Sequence, residues 1–129
     1  MFVDTSVLVA IMAREADADG LTDRLDAAAM RVTSPVVLLE TATILSTLLR
    51  RDPRDVLVDI RSFLERAAIE VVPVLDRTGD AAVEAFARYG KGRHPARLNF
   101  GDCLSYASAK EHGLSLLYKG DDFARTDLA

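Results

Sequence analysis

Four short stretches put acidic side chains where a carboxylate is costly. "MFVDTSVLVA" holds Asp4 between Phe2-Val3 and an apolar run, and "SPVVLLETATIL" holds Glu40 among aliphatic residues. "NFGDCLSYASAK" holds Asp102, and "LLYKGDDFARTD" holds Asp121 and Asp122. Taken singly, most have an ordinary role open to them. Asp4 can cap a helix that starts near Ser6, Asp102 can complement a helix macrodipole, and Asp121 and Asp122 suit a glycine turn. Glu40 fits such a role least. Its neighbours three and four positions away are Val36, Val37, Thr43 and Ile44, which make no solvent-facing stripe. Taken together, carboxylates gathered a few ångströms apart repel one another, so they take up protons or bind a cation. An all-oxygen donor set suits Mg²⁺ or Mn²⁺ with bound waters. Zinc is a poor fit, because Cys103, His94 and His112 offer no ligand spacing. A hard divalent ion can lower the pKa of a bound water and stabilise charge on a phosphoryl oxygen, so the chemistry indicated is phosphodiester hydrolysis.

A basic segment lies just ahead of Asp102. "YGKGRHPARLNFG" contains Lys91, Arg93, His94 and Arg97 among three glycines and a proline, the composition of a loop. These groups could hold phosphates beside the acids, or they could be a solvated, flexible loop. Tyr89 and Phe100 flank it and are available either to stack on bases or to fill the core.

The elements that must position these residues alternate. Phe2–Val3 reads as a strand start, 6–13 as a helix, and 16–30 as a second helix with Leu21, Leu25 and Ala28 on one stripe. A strand at 31–33 leads to Ser34-Pro35, an N-cap and first-turn signal. The helix that follows runs to about Leu49 and is apolar on most sides, which predicts deep packing. Pro53 opens a helix to about Ala67 with Val56, Ile60, Phe63 and Leu64 inward. The Val-rich 70–75 predicts a strand, at an edge because Pro73 lacks a donor. A helix over 79–89 with Val83, Phe86 and Ala87 inward, a helix over 102–112 ended by Gly113, a strand over 114–118, and a closing turn and helix complete the chain. Strands alternating with helices predict a parallel sheet covered on both faces, with ligands beyond the carboxyl ends of the strands. Asp4, Asp121 and Asp122 follow strands, while Glu40 and Asp102 sit near helix starts, so all five can reach one rim.

The 129 residues suffice for one domain spanning 1–129 with a real core. No apolar run approaches the roughly 18 residues of a membrane span, and no leader pattern is evident. A single cysteine excludes an internal disulfide and fits a reducing cytoplasm. The net charge of -4, from 16 basic and 20 acidic residues, argues mildly against a generic nucleic-acid binder. If four acids surround a metal, the remaining 16 balance the 16 bases, so a nucleic-acid substrate stays open.

The stretches "FVDTSVLVA", "SPVVLLETATIL", "YGKGRHPARLNFGDCLSYASAKEHG" and "LLYKGDDFARTD" resemble, in order and over nearly the whole chain, the PIN-domain ribonucleases of the VapC toxin type. The resemblance implies a three-layer α/β/α sandwich with a parallel sheet of four or five strands. It implies a Mg²⁺-dependent endoribonuclease (Mn²⁺ substituting) that cuts cellular RNA, tRNA or rRNA, and halts translation. It further implies a VapB-type antitoxin as partner, and a homodimer. Carried over by position, Asp4, Glu40 and Asp102 are metal and catalytic acids. The family form favours Asp122 as the fourth, with Asp121 open, and Thr5, Ser6 and Thr126 are supporting polar residues. Two rivals stand beside it. A receiver-like phosphoacceptor domain would use Asp4, Asp76 and Lys119, although it lacks the expected acid pair near the first strand. A PIN module that binds RNA or a partner without cutting is the other. A haloacid-type phosphatase would need an acid where Ser6 stands.

Overall fold

A computed structural model describes residues 1–129. The chain runs β1 (Phe2–Val3), α1 (Thr5–Met12), α2 (Ala18–Asp26), β2 (Val32–Thr33), α3 (Pro35–Leu49), α4 (Pro53–Arg66), β3 (Glu70–Val71), α5 (Asp76–Tyr89), α6 (Phe100–Glu111) and β4 (Leu116–Leu117). The four strands are parallel in the order β3-β2-β1-β4, with Phe2 opposite both Val32 and Leu116. This is the expected α/β architecture, with four strands and six helices. The chain builds the sheet outward from β1 through β2 to β3, then crosses back to lay β4 on the other side of β1. The strand order therefore reverses at β1, and in open parallel sheets the crevice at such a reversal is where ligands bind.

The core is built on Phe2, Val3, Val7, Leu8, Val37, Leu45, Ile60, Leu98, Leu117 and Phe123, each at most 1% exposed. Helix α4 buries Val56, Ile60 and Leu64 as its periodicity predicts, and β3 occupies the edge that Pro73 demands. The last bond of that ladder runs from the Val72 N–H to the Thr33 carbonyl, one residue before the proline. Gly113 ends α6 at φ +62°, a conformation that favours glycine.

Several expectations are corrected. Helix α2 is shorter than 16–30, because the Arg31 guanidinium takes the carbonyls of Asp26, Ala28 and Ala67 and turns the chain into β2. Helix α3 is not deeply packed all round. It buries Val37, Leu38, Thr41, Ala42 and Leu45, but leaves Leu39, Ile44, Leu48 and Leu49 exposed. Helix α5 starts three residues earlier than predicted, and Val83, Phe86 and Ala87 point outward. Its inner face is Thr78, Ala82, Ala85 and Tyr89, because small side chains let it lie close against α6. Helix α6 begins at Phe100 with Asn99 as N-cap, so Asp102 stands in the first turn rather than opening the helix. The closing helix is absent: residues 119–129 form turns, starting at Gly120 with φ +92°. Buried Phe123 anchors them, and Asp127 ties them to α6 through the Tyr106 hydroxyl at 2.7 Å and the Lys110 ammonium at 2.9 Å.

Candidate active site

Asp4 leaves the carboxyl end of β1, at the reversal of strand order, and is 6% exposed. It is the N-cap of α1, so the ordinary structural role and the central position coincide. Its Oδ2 accepts from the Ser6 N–H at 3.0 Å and from the Ser6 hydroxyl at 2.7 Å. Its Oδ1 accepts from the buried Ser105 hydroxyl at 2.9 Å. The Ser6 hydroxyl in turn accepts from the Lys119 N–H at 3.0 Å, which pins the chain leaving β4 against the start of α1. Both oxygens of Asp4 are thus held by neutral donors and none by a cation. Sequence reasoning missed Ser105. The signal was its place three residues after Asp102, on the same face of a helix.

Glu40 reaches the same place from α3. Its Oε1 accepts from the Thr5 hydroxyl at 2.8 Å. The first turn of α6 lies so close that a Cβ on Gly101 would stand 2.1 Å from Glu40 Oε2. Gly101 is therefore required for contact between α6 and this carboxylate, a role its place before Asp102 did not reveal. Burial pushes the Glu40 carboxyl up; the Thr5 hydroxyl opposes this, and the charge of Asp4 adds to it.

Asp102 is fixed by a capping box. The Asn99 N–H donates to its Oδ2 at 3.0 Å, and its own N–H donates to Asn99 Oδ1 at 2.9 Å. Its carboxyl is pushed up to about 6, first by burial and then by the charges of Asp122, Asp4 and Glu40, against the Asn99 hydrogen bond. Three acids, from the end of β1, from α3 and from the segment after β4, thus act on this one group of α6. No three His, Cys, Asp or Glu side chains stand close enough to form a ready cage for an ion. Asp121 and Asp122 are both exposed and line one open cleft of about 560 Å³ with Asp102, Lys91, Arg97 and Arg125. Asp122 is the one of the pair whose charge acts on Asp102.

The remaining candidates divide. Thr5 and Ser6 hold carboxylates, as described. Thr126 does not: its hydroxyl donates to the Phe123 carbonyl at 2.8 Å and accepts from the Leu128 N–H at 3.1 Å, so it closes a turn. Lys91 and Arg97 face the acidic cleft. Arg93 lies over the Phe86 ring, 5.4 Å from its centroid, and His94 packs edge-on against Tyr89 while its Nδ1 accepts from the Ala96 N–H. Tyr89 is core, packed on Tyr106, whereas Phe100 is 82% exposed. The receiver-like arrangement fails, because the Lys119 ammonium is bound by Glu15 and Asp17 instead of reaching toward Asp4. Asp76 is spent in the first turn of α5.

The raised Asp102 group sets a pH dependence in the metal-free protein. Its folded value lies above the ordinary 3.8, so the folded state holds this proton more tightly than the unfolded chain. The resulting stabilisation is complete below pH 3.8 and is lost as the pH rises through about 6. Solvent screening at this partly buried group keeps it to roughly 1–2 kcal/mol. Urea unfolding should therefore show stability falling across this window more steeply for wild type than for Asp102→Asn. Parallel pH profiles would contradict the assignment.

Residues 1–128 match the family model described as the PIN domain. The chain is 43% identical over 129 residues to ribonuclease VapC30 of Mycobacterium tuberculosis, covering all of this chain and 96% of the relative. It is 42% identical over 139 residues to a VapC ribonuclease of Rhizobium meliloti, with 98% of each covered. Among solved structures it is similar to the sarcin-ricin loop cleaving toxin VapC20 of M. tuberculosis, with a TM-score of 0.72, 25% identity, and 95% of this chain and 92% of that chain covered. A toxin–antitoxin complex from Klebsiella pneumoniae shares the fold at TM-score 0.70, with 16% identity and coverage of 98% and 92%. The family match over residues 1–128 and the identity to full-length relatives place the chain in the PIN-domain family, among its VapC ribonucleases.

Proposed function

We propose that the protein is a cytoplasmic, metal-dependent endoribonuclease toxin. It cuts cellular RNA, tRNA or rRNA, halts translation, and is neutralised by a VapB-type antitoxin. The carrying observation is the convergence of α1, α3 and α6 on these acids: Ser105 of α6 holds Asp4, Thr5 of α1 holds Glu40, and Gly101 lies against Glu40, next to an Asp102 carboxyl raised by burial and then by the charges of Asp122, Asp4 and Glu40. The similar proteins include ribonucleases and a sarcin-ricin loop cleaving toxin, which supports this reading.

The donor set suits a hard divalent ion: the titratable groups acting on Asp102 are carboxylates, burial pushes the Cys103 thiol up, and the His94 Nδ1 is already engaged. Asp4 and Asp102 would hold Mg²⁺ or Mn²⁺ most directly, and Glu40 and Asp122 would do so directly or through water. When bound, the ion neutralises the acids, makes a water more acidic and stabilises charge on the phosphoryl oxygens. The side chains supply orientation and proton transfer. Ser6 and Ser105 fix both Asp4 oxygens, so the carboxylate keeps one orientation between α1 and α6. Thr5 engages Glu40 Oε1 and leaves Oε2 to accept the proton of the attacking water, a task that the raised affinity of this carboxyl favours. Water attacks phosphorus as the P–O3′ bond breaks, and the departing 3′ oxygen takes a proton from solvent, giving a 5′-phosphate and a 3′-hydroxyl.

Two apolar surfaces support the partner assignments, since exposed patches of this kind mark interaction sites. One lies between α3 and α4, where Leu38, Leu39, Ala42 and Leu57 line a groove of about 350 Å³. We assign it to the antitoxin. The other lies on α5 and α6, where Val83, Phe86, Phe100 and Leu104 line about 410 Å³. We assign it to a second copy of the chain.

Purified Asp4→Asn and Asp102→Asn should fold by circular dichroism and lose cleavage by roughly two orders of magnitude or more. Excess EDTA should silence the wild type. Full activity in either case, or fragments ending in 2′,3′-cyclic phosphate, would reject the mechanism. Gly101→Ala should displace the Glu40 carboxylate and cut the rate roughly ten- to hundredfold, with stability little changed because alanine favours the helix by about 1 kcal/mol. Retained rate would show that the position of Glu40 does not matter. Leu39→Glu should leave cleavage intact and weaken antitoxin affinity about tenfold or more, measured by titration; unchanged affinity would move the antitoxin elsewhere.

A further inference from the structure

We propose that Lys91, Arg97 and Arg125 form a phosphate-binding subsite that seats the backbone of single-stranded RNA on the side of the cleft facing the acids. This rests on the nuclease reading and adds to it an unrecognised residue, Arg125, and a division within the basic loop.

The three cations line the same cleft as Asp102, Asp121 and Asp122. None of them forms an ion pair, although six other basic residues of the chain do. A cleft with acids on one part of its wall and unpaired cations on another suits a polyanion approaching a cation. The cleft continues into a shallow groove of about 520 Å³ lined by Lys91, Gly92, Arg93, His94, Pro95 and Arg97. Shared walls at Lys91, Pro95 and Arg97 make one track, longer than an isolated phosphate needs and suited to a strand.

The loop is built, not slack. The Lys91 N–H donates to the Leu98 carbonyl and the Leu98 N–H to the Tyr89 carbonyl, while the Arg93 and His94 N–H groups share the Gly90 carbonyl. Ala96 and Leu98 are buried beneath it. Within this frame Arg97 has φ +56°, a left-handed conformation that a long side chain adopts at a cost and that glycine would adopt freely. A strained arginine, exposed and unpaired, is held at the cleft. Arg93, over Phe86, lines only the continuing groove and not the cleft that holds the acids.

The test is fluorescence anisotropy with a labelled single-stranded RNA in EDTA, across a salt series, with a matched cleavage assay in Mg²⁺. Arg97→Ala and Arg125→Ala should each weaken binding about three- to tenfold at moderate salt and reduce the salt slope by about 1, whatever the RNA sequence. Arg97→Lys should restore most of the affinity. Arg61→Ala, an equal charge change on α4, should alter neither quantity. Arg97→Gly should lose affinity like alanine while raising Tm by about 2–4 °C through relief of strain. Unchanged binding in Arg97→Ala and Arg125→Ala, or an equal loss in Arg61→Ala, overturns the subsite and leaves the nuclease reading standing if wild type still cleaves. Wild type that binds through these residues yet never cuts overturns the nuclease reading and keeps the subsite. Wild type that does not bind RNA overturns both.

Discussion

The repulsion among four carboxylates brought to one rim of the sheet is the constraint on which the rest of the structure depends. Asp4, Glu40, Asp102 and Asp122 come from four separate parts of the chain, and burial, with the charges of the other three adding to it, pushes the Asp102 carboxyl up to about 6. Placing like charges together opposes folding. The fold offsets this with neutral donors: Ser6 and Ser105 on Asp4, Thr5 on Glu40, and the Asn99 N–H on Asp102. Hydroxyls and amides hold the oxygens in place without cancelling their charge. No ion pair involves these four acids, and the Lys119 ammonium is turned onto Glu15 and Asp17.

The same separation of charge extends across the cleft. Lys91, Arg97 and Arg125 stand on its wall without closing onto the acids. The loop that carries two of them is braced by its own backbone hydrogen bonds and by buried Ala96 and Leu98, and it keeps Arg97 in a left-handed conformation. Rigid backbone under an exposed cation lowers the entropy lost when a ligand is ordered.

A four-stranded sheet of two-residue pairings is small, and six helices cannot bury every apolar side chain around it. Helix α3 turns Leu39, Ile44, Leu48 and Leu49 outward while its inner face completes the core, and α5 leaves Val83 and Phe86 beside Phe100. In a chain of this size such surfaces cost solubility unless something covers them. They lie on α3, α5 and α6, whereas Asp4 is buried at the end of β1.

Some of this was set by local rules and could be read along the chain. The order of elements, the Ser34-Pro35 helix start, the edge position forced by Pro73 and the inner stripe of α4 follow from capping, a missing donor and helical periodicity, which act within a few residues. The misplaced acids were equally legible, because an acid within an apolar run is conspicuous wherever the chain goes. Other features depended on what packs against what. Alanines, not Val83 and Phe86, face inward on α5 because α6 lies close against it. Arg31 ends α2 with a carbonyl 36 residues away. Gly101 matters only because Glu40 comes to rest against it, and Ser105 only because Asp4 lies within reach of its hydroxyl across 101 positions. Residue type is written in the sequence, but which side chains become neighbours is decided when the sheet closes, because hydrogen bonds and close packing act over a few ångströms of space and take no account of distance along the chain.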